Sequence, residues 1–103
     1  MEKIRDHLKV LSKRHSLEIV SALLNGPLNI TQISEELGIP YTTTQQRVAE
    51  LERVNLVEAE ADIDESSKRA VMLVRSVNFR IELSPRSIHT LIKGGGDKVL
   101  KVT

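Results

Sequence analysis

The apolar positions in the first quarter of the chain recur at helical spacing. They predict a first helix over about residues 2–11 and a second over about 14–25, with Ser12 as the break and cap between them. Gly26 and Pro27 end the second helix, because glycine accepts a left-handed conformation and proline cannot continue a helix. The wide apolar stripe of the second helix places it at the centre of the core.

Two more helices follow, joined by a tight turn. Thr31 is predicted to cap the third helix, and Gly38 to end it in a left-handed conformation. Pro40 suits the start of the fourth, over about 41–54. The inward stripe of this fourth helix consists of Thr44, Val48 and Leu51.

After residue 55 the apolar period changes from helical to two. Residues 57–64 alternate apolar and acidic side chains, which predicts a half-buried strand. A polar turn over residues 65–68 and a returning strand over 70–74 complete a hairpin. Residues 79–83 alternate again, and whether they join the same sheet is left open by the pattern. A short last helix begins at Ser84-Pro85, with Ile88, Leu91 and Ile92 expected to face inward.

Helices followed at once by a hairpin predict a winged helix-turn-helix, mainly α with a small β-sheet (α+β). The hairpin, residues 56–75, is the wing. Residues 1–93 are predicted to form a single DNA-binding domain, and 94–103 a flexible C-terminal tail. Three consecutive glycines at the start of this tail hold regular structure at high entropic cost.

Composition narrows the function classes. The 103 residues suit one domain, and 40% hydrophobic with 28% charged residues is typical of a globular protein. No apolar run approaches the ~20 residues of a membrane span, and the charged N-terminus is unlike a signal peptide, so a cytoplasmic location is expected. The formal net charge is only +1, so any nucleic-acid binding must depend on local charge placement.

The outward face of the fourth helix is predicted to read DNA. Glutamine can pair with adenine, arginine with guanine or phosphate, and hydroxyl groups with the phosphate backbone. A merely solvated face would more often carry Glu, Lys or Ala, and three consecutive threonines are poor helix formers. The predicted contacts are Tyr41, Thr42, Thr43, Gln45, Gln46 and Arg47.

The wing offers Lys68 and Arg69 at its tip, which can contact phosphate or the minor groove of flanking DNA. A solvated polar turn is the competing interpretation. The acidic residues of 58–65 would repel phosphate. We therefore expect them to lie away from the DNA or to pair across the strands with Arg69 or Arg75.

The run VLSKRHSLEIVSALLNGPLNITQISEELGIPYTTTQQRVAELERVNLVE resembles the ArsR-type winged-helix repressors of bacteria and archaea, and the resemblance extends over roughly residues 8–75. It implies a sequence-specific transcriptional regulator of double-stranded DNA, acting as a homodimer through the first and last helices. Repression by blocking a promoter is the simplest mode. The matching features are Leu11-Ser12, Ile19, Ile33-Ser34, Leu37-Gly38, Val48, Leu51 and Leu56-Val57.

The departures from that family concern its sensing sites. Members that sense thiophilic metals carry a Cys-x-Cys pair where this chain has Asn29 and Thr31. Other members bind zinc with Asp and His residues on the last helix, where this chain offers only His89. An arginine usual in the core helix is Ser16, and the glycine before the wing is Asn55, which also tolerates a left-handed conformation.

No metal or cofactor is therefore predicted, and a small-molecule effector stays unknown. The chain has no cysteine, which excludes thiolate sites and disulfides. Its histidines are scattered, with no pair at i and i+4, and a site formed by convergence in a dimer is the open alternative. They are His7, His15 and His89.

Two functions from different classes remain. The first is the DNA-binding regulator just described. The second is a winged-helix module that binds protein in a transcription or processing complex, which the low net charge keeps open. A positive surface around the fourth helix would favour DNA, and dominance of the acidic wing residues would favour a protein partner. An enzyme is not expected, since no phosphate loop, nucleophile–base pair or metal cluster is evident.

Overall fold

A computed structural model describes residues 2–94 and 100–102, over which five helices and five strands follow one another. The helices are α1 (Glu2–Leu11), α2 (Ser16–Ala22), α3 (Ile30–Leu37), α4 (Tyr41–Arg53) and α5 (Pro85–Ile92). The strands are β1 (Leu28–Asn29), β2 (Val57–Asp64), β3 (Arg69–Ser76), β4 (Phe79–Ile81) and β5 (Leu100–Val102). This is the predicted α+β winged helix-turn-helix, with β2 and β3 as its wing.

The core lies where α2, α3 and α4 meet the base of the wing. The predicted inward stripe of α4 is confirmed, since Thr44, Val48 and Leu51 are all buried. Aromatic side chains are nearly absent from the sequence, so aliphatic residues fill the centre. The core cluster consists of Val10, Ile19, Leu23, Ile30, Ile33, Val48, Leu51, Val54, Leu56, Val57 and Val74.

The helical spacing of Ile4, Leu8 and Leu11 predicts the inward face of α1, and the structure differs from it at Leu8. Ile4 and Val10 are buried, together with His7 between them, whereas Leu8 is 37% exposed. The buried face follows three-residue spacing rather than four, and both are compatible with a helix. The ring of His7 avoids an unsatisfied polar atom because Nδ1 is hydrogen-bonded to the carbonyl oxygen of Lys3.

Helix α2 is shorter than predicted. The helix begins at Ser16 because His15 before it takes a left-handed conformation with φ of 77°. The hydroxyl of Ser12 does not cap α2; it donates to the carbonyl oxygen of Lys9 in α1, at 2.8 Å. At the other end, turns continue past Ala22 to Gly26, whose φ of 140° redirects the chain.

The cap of α3 is Asn29, not Thr31. The Asn29 side chain accepts a hydrogen bond from the backbone N–H of Gln32, and the Gln32 side chain accepts one from the backbone N–H of Asn29, both at 2.9 Å. This reciprocal pair satisfies two backbone donors at once, so it outcompetes a threonine hydroxyl two residues later. The end of α3 is as predicted, since Gly38 is left-handed with φ of 65°.

The wing sheet has the strand order β1–β3–β2, all antiparallel. The long ladder runs from the pair Val57 and Ser76 to the pair Asp64 and Arg69. The third strand is the short β1, which pairs with the base of β3. Residues 79–83 therefore do not complete this sheet.

Strand β4 instead pairs with β5 in a separate two-stranded sheet. Residues 100–102 of the predicted flexible tail thus form a paired strand, while 95–99 and 103 lie outside the described residues. Within the part of the chain that is described, no helix has the length and apolar character to cross a membrane.

Candidate nucleic-acid interface

The exposed face of α4 presents a straight row of four side chains. At 3.6 residues per turn, positions 42, 46, 49 and 53 fall within about 60° of one another around the helix axis. All four residues in this row, Thr42, Gln46, Ala49 and Arg53, are exposed. We call them the reading row. The small Ala49 at its centre lets another molecule approach the helix backbone closely.

The remaining predicted residues of α4 lie on its two flanks. Tyr41 and Gln45 are exposed on the flank that faces the wing, and Thr43 is half-buried on the opposite one. The structure therefore keeps Thr42, Gln45 and Gln46 together on one accessible surface. It separates them from Arg47.

Arg47 is engaged inside the protein. Its Nε donates to the backbone carbonyl oxygen of Arg14 at 2.9 Å, and its Nη1 lies 2.7 Å from Oε1 of Glu50. The other carboxylate oxygen of Glu50 pairs with the ammonium group of Lys13. The Arg47 side chain is only 19% exposed. Its contacts hold the corner between α1 and α2 against the side of α4.

The charge state of Glu50 reflects this arrangement. The hydrogen bond from Lys13, reinforced by the one from Arg47, holds the pKa of the Glu50 carboxyl below its usual value, against the opposing effect of desolvation. The carboxylate is therefore ionised throughout the neutral range. It neutralises one of the cations that surround it.

The turn between α3 and α4 is held by Ser34. The backbone N–H groups of Gly38 and Ile39 both donate to the carbonyl oxygen of Ser34, and the Ser34 hydroxyl donates to the carbonyl oxygen of Ile39 at 2.6 Å. These bonds fix the angle between the two helices. They set the direction in which the reading row projects.

The positive and negative charges at the wing tip nearly cancel. Lys68, which has a left-handed φ of 58°, pairs with Glu65 at 3.1 Å, and Arg69 stands opposite Asp64 in the ladder. Hydroxyl donors, that of Ser67 foremost, lower the pKa of Asp64, so this carboxylate also stays charged. The predicted cations are present and exposed at the tip, but carboxylates accompany them.

The acidic residues of β2 share one face of the wing. In the antiparallel register Glu58 stands opposite Arg75, and the Arg75 guanidinium forms an ion pair with Glu60. The expected pairing across the strands is thus present at Arg75. Over strands β2 and β3 and their turn, five carboxylates accompany three cations, so the wing as a whole is acidic.

A groove of about 630 Å³ lies between the wing and the starts of α3 and α4. Tyr41 and Arg69, two predicted contacts that are far apart in sequence, both line it. Thr31 and Gln32 line the same groove, together with Ser66 and Ser67 of the wing turn. Two carboxylates, those of Glu35 and Asp64, also line the groove, so its hydrogen-bonding groups face phosphate together with negative charge.

Sequence reasoning missed two features of this interface. Arg53 belongs to the reading row because it lies eleven residues, or about three turns, after Thr42, and this spacing could have revealed it. The cations Lys13 and Arg14 reach the interface through tertiary contacts with α4, which no local pattern encodes.

Helix α5 carries an apolar stripe that is largely exposed in the part of the chain that the structure describes. Ser84 and Ser87 form its capping box, as Ser84-Pro85 predicts a helix start. The expected inward packing is wrong for two of the three residues, since Ile88 is 42% and Ile92 59% exposed, whereas Leu91 is half-buried. Large exposed apolar stripes mark contact surfaces with other molecules.

The described residues contain no group of three or more His, Asp or Glu side chains placed to hold a metal ion. At the position of the family's Cys-x-Cys pair, Asn29 serves instead as the cap of α3. This position is therefore used for local structure.

A comparison with protein families matches residues 16–78 to the family described as the sugar-specific transcriptional regulator TrmB. The match begins at α2 and ends just after β3, so it includes the helix-turn-helix and the wing. No curated protein matches the chain. The ArsR-type assignment itself is not confirmed, because the matching family is a different one.

Solved structures of bacterial regulators share the fold. HlyU of Vibrio cholerae is 23% identical with a TM-score of 0.60, covering 75% of this chain and 78% of its own. The transcriptional repressor BigR of Xylella fastidiosa is 18% identical with a TM-score of 0.60, covering 94% and 87%. NolR of Sinorhizobium fredii is 15% identical with a TM-score of 0.61, covering 94% and 84%. Identities this low establish the fold alone, and they confirm the winged helix-turn-helix.

Proposed function

Because this chain belongs to the TrmB family of transcriptional regulators, we propose that it binds double-stranded DNA sequence-specifically, in the cytoplasm, as a homodimer. Helix α4 enters the major groove with the reading row toward the base edges. The wing tip, Lys68 and Arg69, lies beside flanking DNA. Occupying a promoter in this way makes the protein a repressor.

The reading row is the observation that carries this proposal. Thr42, Gln46 and Arg53 offer a hydroxyl, an amide and a guanidinium along one line, and these groups match adenine, guanine and phosphate. Ala49 between them leaves space for the base edges. A merely solvated face would more often carry Glu or Lys at the positions of Thr42 and Gln46.

The homodimer is supported by the exposed stripe of α5. Its isoleucines, with Leu8 of α1, would be covered if two copies paired through their first and last helices. Two-fold symmetry also presents two reading rows to successive major grooves, which doubles the contacts with a palindromic site.

The test is selection of binding sites from random duplex DNA, followed by footprinting and affinity measurements on Gln46→Ala. If Gln46 makes a good base contact, the variant loses about 1–3 kcal/mol on the selected site and little on random DNA. Ser21→Ala, an exposed polar truncation on α2, is the matched control and should bind like the wild type. Equal losses on both DNAs would contradict base reading by α4.

The acidic wing favours a second candidate, a module that binds a basic protein partner. In that case the wild type selects no DNA sequence, and the random-duplex experiment yields no consensus. A palindromic footprint would support the DNA-binding regulator over the protein-binding module.

A further inference from the structure

We propose that Arg14 is an additional phosphate contact, at the corner between α1 and α2. This corner lies on the flank of α4 opposite the wing. The inference rests on the proposed DNA-binding function and adds a second anchoring point to it. Arg47 acts as a positioning residue that holds Arg14 in place.

The backbone of this corner is fixed to α4. The Arg47 guanidinium connects the carbonyl oxygen of Arg14, 2.9 Å from Nε, with the carboxylate of Glu50, 2.7 Å from Nη1. Lys13, the neighbour of Arg14, pairs with the same carboxylate. Two successive residues of the corner are thus tied to α4, so Arg14 projects from a defined place and not from a loose loop.

The side chain of Arg14 remains available for a ligand. The residue is exposed, and within residues 3–94 no hydrogen bond or ion pair engages its guanidinium. Arginine is the side chain that best matches phosphate, through a planar fork of donors that stays charged at all relevant pH values.

Local charge distinguishes the corner from the wing. Lys13 and Arg47 both pair with the single carboxylate of Glu50, and the side chain of Arg14 adds a third positive charge to this corner. The wing has the opposite balance, with more carboxylates than cations. For a protein whose net charge is only +1, binding of phosphate depends on such local groups of cations.

The position suits the geometry of a groove. A helix in the major groove runs between two phosphate backbones, one on each side. Tyr41 and the wing tip lie on one flank of α4, and Arg47 and Glu50 lie on the other, roughly 100° from the centre of the reading row. Arg14 is therefore placed to contact the phosphate backbone on the side of the groove that is opposite the wing.

The experiment measures the salt dependence of binding to random and selected duplexes in a series of KCl concentrations. Each phosphate contact contributes about 0.9 to the slope of log K against log salt concentration, so Arg14→Ala should lower the slope by about one per protomer on both DNAs. Arg14→Lys should largely restore it. Arg80→Ala, an exposed arginine on β4, is the control and should leave the slope unchanged.

An unchanged slope in Arg14→Ala, with DNA binding by the wild type intact, overturns this inference alone. A wild type that binds no duplex overturns the proposed function itself. Arg47→Leu tests the positioning role. As a single substitution it should lower the slope, and when combined with Arg14→Ala it should cause no further decrease. A further decrease would show that Arg47 contacts DNA directly.

Discussion

Ser16 is a buried side chain without a partner. It is fully inaccessible at the first position of α2, and among the described residues its hydroxyl oxygen is the one buried side-chain oxygen or nitrogen that makes no hydrogen bond. Burying a hydroxyl without compensation costs free energy that a methyl group would not. The residue thus contributes through its small volume and not through its polarity.

Replacing Ser16 with alanine should accordingly leave the free energy of unfolding unchanged or raise it by about 1 kcal/mol. Thr44→Val is the matched control, because Thr44 is equally buried but donates to the carbonyl oxygen of Pro40 at 3.1 Å. That variant should lose about 1 kcal/mol. Urea unfolding of both measures the difference, and a clear loss in Ser16→Ala would mean that its hydroxyl has a partner.

For individual residues, the sequence predicts which side chains can hydrogen-bond to DNA better than it predicts which of them are exposed. Helical spacing identifies Thr42, Gln45 and Gln46 as accessible side chains of α4, and they are exposed. The same spacing cannot reveal that Arg47 is held by Arg14, a residue 33 positions away. Which of two neighbouring polar residues is free depends on what packs beside the helix.

The turn between α3 and α4 depends on one backbone conformation. Gly38 has φ of 65°, and a Cβ built there would meet nothing within 4 Å. The cost of a side chain at this position is therefore conformational and not steric crowding by neighbours.

Gly38→Val should destabilise the protein by about 1–2 kcal/mol, because a β-branched residue adopts this conformation poorly. Gly38→Asn should lose less, since asparagine is tolerated there. Thermal or urea unfolding distinguishes the two variants. Equal stability of Gly38→Val and the wild type would refute the left-handed turn.

Elements were predictable wherever the signal was local. The alternation of 57–64 and the glycine of the turn are read directly from the sequence, as is Pro40 before α4. The pairing of β4 with β5 is not, because it joins residues about twenty positions apart through a segment rich in glycine. The capping box at Asn29 and Gln32 carried a sequence signal, but Thr31 competed with it.

Among the residues that the structure describes, the isoleucines of α5 stay exposed, at 42% for Ile88 and 59% for Ile92. If two copies pair through α1 and α5, Ile92→Glu should weaken dimer association at least about tenfold, because burying an isoleucine side chain is worth roughly 1.5–3 kcal/mol. Leu24→Glu is the control: Leu24 is 82% exposed in the turn after α2, outside the proposed contact.

Sedimentation equilibrium over a range of protein concentrations measures both variants. Equal weakening by the two substitutions would point to a non-specific effect of charge. No weakening by Ile92→Glu would place the dimer contact elsewhere and leave the α5 stripe to another partner.

Asn29 joins the two halves of the molecule without any linker. It is the last residue of β1, paired with Leu73 of β3, and also the residue whose side chain starts α3. A displacement of β3 is consequently passed to the start of α3 through this residue, in addition to the core contacts that Val57 and Val74 make at the base of the wing. If a duplex bound in the proposed way bends or twists the wing, the movement also turns α3 and, through the Gly38 turn, α4. Binding would then depend on the stiffness of the DNA as well as on its sequence.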